Sequence, residues 1–251
     1  MKIPSNDDEA ETLHALFPTL VYHYRLDAEK FRTAFSAAID DAGFVPEQSG
    51  SRHNAGEYHG RIFLHRLPAL QDFFKRLSDR VAAYLAVLGM QPDLYDMHCL
   101  KSWFTICEPD ESGDETAMVA HNHSCSDISW VYYADVPDDC PPITFHAGRR
   151  LATEPFGSAF HDDWHQSEKS AIRTVNWWNS NTWSVHPRAG DLLLFPGHQL
   201  HSVEANHTNS RRISVAGDIA LTLRRPHTAL EFGRTCPEHW LSLPVQRHPD
   251  S

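Results

Sequence analysis

GDLLLFPGHQLHSV, residues 190–203, reads as strand, turn, strand. Gly190 and Asp191 open it. Leu192 to Phe195 form an unbroken apolar run that reads as a buried strand, and Pro196-Gly197 supplies a turn. His201 follows on a second short strand. The same texture extends in both directions after Pro92. Short segments rich in β-branched and aromatic residues alternate with turn clusters, at 97–107, 116–121, 127–135, 142–146, 171–178, 182–186, 191–195, 200–204 and 211–222. That spacing predicts a mainly β fold, an antiparallel jelly-roll sandwich or barrel.

The first third has a different period. LFPTLVYHYRL (16–26) alternates near its end and predicts a first strand. Asp27 is a helix cap, followed by an apolar stripe of Phe31, Ala34, Phe35, Ala38 and Ile39, with Gly43 as the stop. Residues 46–61 are polar and turn-rich and read as loop. A second helix begins near Pro68, a good first-turn residue. Its stripe runs through Leu70, Phe73, Phe74, Leu77, Val81, Tyr84, Leu85 and Leu88 to Gly89. Both stripes predict helices packed on a sheet. The expected organisation is one domain over 1–251. It comprises a flexible tail (1–12), a helical support layer (13–92), a jelly-roll core (93–222) with a polar insertion at about 147–180, and a C-terminal extension (223–251).

Composition sets outer bounds. Of 251 residues, 41% are hydrophobic and 11% aromatic, enough for a sizeable core. A formal net charge of −11 argues against nucleic acid and anionic membrane surfaces as partners, because both need a basic face. The five cysteines are irregularly spaced with no CxxC pair, which gives little support to a zinc-thiolate site or a disulfide framework. MKIPSNDDEAE at the start is polar and acidic, unlike a signal peptide. VAAYLAVLGM is too short to span a bilayer. The expected location is the cytoplasm.

The chain has 18 histidines, so only constellations of them carry weight. HNHSCSDISWVYY (121–133) holds His121 and His123 just before a strand. Side chains at i and i+2 of a strand share a face, and at a strand end they can converge on one ion. The turn-plus-strand at 190–203 is expected to deliver His201 from the opposite sheet. Three protein ligands on one side of an octahedral ion leave the other positions for substrate and oxygen, which suits non-haem iron. Asp127 is an alternative to His123 as the third ligand. Eleven residues beyond His201, RRISVAGDI (211–219) carries Arg212 and Ser214 with equal parity on one strand. A buried guanidinium grips a carboxylate through two hydrogen bonds.

These motifs, in this order, resemble the iron(II)/2-oxoglutarate-dependent oxygenases. Within them the chain resembles a bacterial and phage group with HxH, FPxxLxHxV and RxS motifs. The matching stretches are LFPTLVY (16–22), KSWFTI around Trp103, His121 and His123 with SWVYYA, FPGHQLHSV and RRISVAG, from about residue 16 to 220. The resemblance implies a double-stranded β-helix with N-terminal helices on one sheet. It implies iron(II) as cofactor, 2-oxoglutarate as co-substrate and O2 as oxidant. By position, His121 and His201 match iron ligands. Arg212, with Ser214 beside it, matches the group that binds the far carboxylate of 2-oxoglutarate. Tyr133 matches a position whose hydroxyl helps hold that carboxylate. His123 departs from the pattern, standing where most relatives have Asp or Glu. The implied reaction is hydroxylation of an unactivated C–H in a small molecule, such as an amino acid or a natural-product intermediate. Halide chemistry would need a small residue at position 123.

Blander readings compete. His198 and His207 match no motif and read as structural or solvent-exposed. Arg211, of opposite parity to Arg212, should face outward. Tyr133 could be core alone. Of Trp177, Trp178 and Trp183, at least two read as sheet packing. Arg149 and Arg150 read as solvated, and His161 with His165 as part of a polar lid. Two other functions remain open: a cupin-type metal enzyme that does not use 2-oxoglutarate, and a non-catalytic ligand-binding barrel. A small-molecule substrate is expected in the enzyme readings. Homodimerisation through a sheet edge is open.

Overall fold

The computed structural model describes residues 18–41, 52–55, 63–109, 117–147, 180–224 and 234–242. Its core is two antiparallel sheets facing each other. The strands are β1 (Tyr22–Arg25), β2 (Arg52–Ala55), β3 (Tyr95–Cys107), β4 (Met118–His121) and β5 (Ile128–Asp135), then β6 (Ile143–His146), β7 (Thr182–Val185), β8 (Asp191–Pro196), β9 (His201–Val203) and β10 (Arg212–Leu223). One sheet runs β1-β8-β5-β10-β3-β2 and the other β4-β9-β6-β7. From β3 onward the strands alternate between the sheets, except for β6 and β7, which are neighbours in the smaller sheet, a jelly-roll arrangement. The strands expected after Pro92 that fall on described residues all appear, with ends shifted by at most two residues, and the first strand forms only at the end of the 16–26 stretch, at Tyr22–Arg25. One correction concerns 46–61, expected to be loop. Residues 52–55 form β2, paired with β3 from Arg52↔Cys107 to Ala55↔Phe104. This polar segment lacks an apolar alternation, so its pairing comes from the open edge of β3.

The two helices are α1 (Ala28–Asp41) and α2 (Gln71–Val87). Asp27 caps α1, its Oδ1 accepting the Lys30 N–H at 3.2 Å. Pro68 opens a 3-10 turn that leads into α2, and Gly89, at φ +77°, follows its end. The predicted stripes of both helices are packed against one face of the six-stranded sheet, with Ala34, Ile39 and Phe74 partly buried and Leu88 exposed. Phe31, Phe35 and Phe73 meet Tyr132 with ring centroids 5.0–6.3 Å apart. Aromatic pairs at such distances add about 0.5–1.5 kcal/mol each beyond their buried area.

That packing explains the alternation along β5, β8 and β10. Trp130, Tyr132, Leu192, Leu194, Ile213 and Val215 face the helices. Val131, Tyr133, Leu193 and Phe195 face the second sheet. The run Leu192–Phe195 is apolar throughout because both its faces are covered. Gly190, just before β8, has φ +89°. A side chain there would place its Cβ 2.6 Å from the Leu26 carbonyl oxygen, while Leu26 N–H donates to Gly190 O at 2.8 Å. Asp191, fully buried, accepts from Arg25 Nε at 2.7 Å and ties β1 to β8.

Gly43, Arg149, Arg150, His161, His165, Trp177, Trp178, the strand expected at 171–178 and the tail at 1–12 lie outside the described residues. Trp183 is described, and half of it is exposed on β7.

Candidate metal and carboxylate site

The space between the sheets opens at one end into a pocket. Its lining brings together all six side chains singled out from the motifs: His121, His123, Tyr133, His201, Arg212 and Ser214. The histidines come by two routes. His121 ends β4 and His201 begins β9, and the two are direct cross-strand partners. Their ring centroids lie 4.3 Å apart. The expectation that His201 comes from the opposite sheet is therefore wrong. Both sit on the four-stranded sheet, because the Pro196-Gly197 turn carries the chain across from β8 before His201 is reached.

His123 lies in the loop just after β4. That loop is clamped by the turn it faces: His123 N–H donates to Gly197 O at 2.8 Å, and Gly197 N–H to Asp127 O at 3.1 Å. A Cβ on Gly197 would stand 2.2 Å from the Ser126 carbonyl oxygen, so the close approach requires glycine. One ligand atom from each of His121, His123 and His201 lies within 4.8 Å of the others.

The hydrogen bonds fix the rings' chemistry. His121 Nδ1 is 2.8 Å from Val119 O, His201 Nδ1 is 2.9 Å from Gln199 O, and His123 Nδ1 is 2.6 Å from Asp218 Oδ1. A carbonyl or carboxylate oxygen can only accept, so each Nδ1 carries a proton. In the neutral ring Nε2 is then the nitrogen with the lone pair, as metal ligation requires. Burial, reinforced by the neighbouring imidazoles, pushes His201 down to about 4, so it is neutral at physiological pH. Three imidazoles in a small cluster, each with Nδ1 already engaged, fit a divalent transition metal.

Asp127 is not part of this cluster. Its Oδ2 accepts from Leu221 N–H at 2.7 Å and from Arg234 Nη1 at 2.9 Å. That leaves His123 as the third member. The carboxylate that the motifs did not reveal is Asp218, on β10. It is fully buried, and its Oδ1 also accepts from Ser129 Oγ at 3.0 Å. Burial alone would raise its pKa, but the His123 hydrogen bond and nearby Lys101 hold it below the ordinary aspartate value. Its signal was its parity: 212, 214, 216 and 218 share the inner face of β10.

Arg212 is 2% exposed. Its Nη2 contacts Cys107 Sγ at 3.0 Å, whereas Nε and Nη1 have no hydrogen-bond partner. No carboxylate among the described residues forms an ion pair with it. Ser214 stands opposite Tyr133 across β10 and β5. Burial raises the Tyr133 phenol, which therefore stays protonated and able to donate. Arg211, His198 and His207 are exposed, as their parity and lack of motif predict. The five cysteines are free thiols.

Residues 101–218 match the model of a family described as "Putative 2OG-Fe(II) oxygenase". Among solved structures, the non-heme alpha ketoglutarate dependent carbocyclase SnoK from nogalamycin biosynthesis is similar over 82% of this chain and 83% of its own, at 17% identity and TM-score 0.50. The epimerase SnoN, in complex with Fe3+, alpha ketoglutarate and nogalamycin RO, is similar over 91% of this chain and 89% of its own, at 16% identity and TM-score 0.51. At such identities the likeness speaks to the fold alone. No curated protein matches the sequence. No helix among the described residues is long and apolar enough to cross a membrane.

Proposed function

We propose, from the match of residues 101–218 to the model of a 2OG-Fe(II) oxygenase family, that the chain is an iron(II)- and 2-oxoglutarate-dependent oxygenase. In this reading His121, His123 and His201 hold the metal. Arg212 receives the far carboxylate of 2-oxoglutarate, with hydroxyls from Ser214 and Tyr133 beside it. The product is a hydroxylated small molecule, an amino acid or a natural-product intermediate. The carrying observation is Arg212. A buried guanidinium with two unpartnered nitrogen positions, in the same pocket as three convergent histidines, has an anion as its natural complement. A cupin-type enzyme that does not use 2-oxoglutarate has no use for that group, and a non-catalytic barrel has no use for the histidine cluster.

Bound iron and 2-oxoglutarate would together activate O2, with the co-substrate leaving as succinate and CO2 and one oxygen atom going to the substrate. The chain's own residues perform the positioning. The backbone carbonyls of Val119 and Gln199 and the Asp218 carboxylate fix three ring orientations. Arg212 offers a planar fork that sets the direction of a dicarboxylate along the pocket. Tyr133 donates a hydrogen bond without carrying charge of its own. Val131, Ile143 and Phe195 keep the walls apolar and exclude water from the reacting end.

Anaerobic addition of Fe(II) and 2-oxoglutarate should produce the weak visible charge-transfer band of the iron chelate. Absence of the band, or a band insensitive to Arg212→Met, rejects the reading. The similar folds include a carbocyclase and an epimerase, so the outcome on substrate is read by product analysis and not by succinate release alone.

A further inference from the structure

The three imidazoles are not equivalent. His121 and His201 donate Nδ1–H to neutral backbone carbonyls, whereas His123 donates to a carboxylate, over the shortest of the three contacts. That carboxylate is built in with care. Asp218 is fully buried, and Ser129 Oγ–H fixes the same Oδ1 from β5. Lys101 Nζ stands 3.3 Å from Oδ2 without the alignment of a hydrogen bond, so it balances charge while the aligned bonds go to His123 and Ser129. The Trp103 indole stacks on the His123 ring at 5.8 Å and 19°, and Lys101 Nζ lies over the indole at 4.9 Å. The His123 ring is thus held in its plane by Trp103 and in its rotation by Asp218.

We propose that Asp218 is a positioning residue that makes His123 act as a charge-carrying ligand, supplying through the imidazole the negative charge that a directly bound carboxylate would supply. The inference rests on the metal reading above. The physical chain is short. A carboxylate accepting Nδ1–H holds the ring in one tautomer and raises electron density at Nε2, which strengthens the bond to a cation. A neutral acceptor at the same place would orient the ring without adding charge. A purely structural role would need only the hydrogen bond, which asparagine's carbonyl could also accept. The burial of an ionised group marks the charge as the functional part.

The test uses the full-length metal-free protein and Co(II) alone, without 2-oxoglutarate or oxygen. Affinity is read from the cobalt absorption bands and fold integrity from circular dichroism and thermal melting. Wild type should bind Co(II), and failure there rejects the metal reading itself, not this extension of it. Asp218→Asn should lower Co(II) affinity about 10- to 100-fold with little change in melting. Binding within twofold of wild type overturns the proposal. A second background separates charge from structure. In His123→Asp the ligand carries its own charge beside Asp218, so adding Asp218→Asn should leave Co(II) affinity unchanged or raise it. An equal loss in both backgrounds means a structural role and overturns the proposal. Should Asp218→Asn not fold, nitrogen NMR of metal-free wild type at mildly alkaline pH decides. The His123 proton belongs on Nδ1, and a proton on Nε2 overturns the proposal.

Discussion

His121 and His201 are cross-strand partners on β4 and β9, with imidazole centroids 4.3 Å apart. Paired positions of an antiparallel ladder hold side chains side by side, so two of the three proposed ligands are set by backbone hydrogen bonding alone. Replacing either with alanine should lower Co(II) or Fe(II) affinity by on the order of 100-fold or more, above the loss expected for an outer hydrogen-bond partner. The melting temperature of the metal-free protein should hardly fall. Titration with Co(II), followed by a thermal melt, checks both halves of the prediction.

Arg212 yields a prediction with opposite signs in two conditions. Without an anion, its buried charge lacks a partner, so Arg212→Met should leave the ligand-free protein as stable as wild type or more so. Saturating 2-oxoglutarate should raise the melting temperature of wild type and leave Arg212→Met unmoved. Arg212→Lys keeps charge but loses the fork, and its 2-oxoglutarate affinity should drop about 10- to 100-fold, equivalent to roughly 1.4–2.7 kcal/mol. A differential melt with and without co-substrate reads all three chains.

Gly197 is the brace of the His123 loop. Because a Cβ there would overlap the Ser126 carbonyl, Gly197→Ala should displace residues 123–127. The expected cost is about 1–3 kcal/mol of stability, together with weakened metal binding. Denaturant unfolding and Co(II) titration should move together. Normal metal affinity with lowered stability would place the strain elsewhere.

Asp191 controls the acid side of stability. Burial would raise its carboxyl, but Arg25, the Arg188 N–H and His23 more than offset this and hold it below the ordinary value of 3.8. A depressed folded-state pKa contributes stability that is fully present above the ordinary aspartate value and lost as pH falls through the depressed one. Asp191→Asn should cost about 1–3 kcal/mol at neutral pH and flatten that acid limb. Urea unfolding at a series of pH values measures it.

The period of hydrophobicity made most of the fold legible. Among the described residues, the strands after Pro92 and the stripes of both helices lie where alternation and 3.6-residue spacing put them, since each has a covered face. β2 was not legible, because its sequence, RHNA, carries no apolar alternation to announce a strand paired on the edge of β3. At the site, motif order pointed to His121, His201 and Arg212, and parity separated Arg212 from Arg211. What spacing could not supply was which sheet each histidine of the cluster comes from. The turn at Pro196-Gly197 changes sheets, and a turn's direction depends on what it packs against. Asp218 was hidden for a related reason. It stands 95 residues from His123 along the chain, and only the register of β10 against β5 and β3 brings the two together.

The pocket has two unlike walls. Arg212, Ser214 and Tyr133 stand on the six-stranded sheet, whose other face is covered by α1 and α2. His121 and His201 stand on strands of four and three residues in the smaller sheet, where Val119 is 80% exposed. Local opening costs least where few apolar contacts are broken. Amide hydrogen exchange should therefore be fast in β4 and β9 and slow in β5 and β10. That pattern would mean the His121 and His201 wall opens more readily than the Arg212 wall, a way in for small molecules that leaves the helical layer undisturbed.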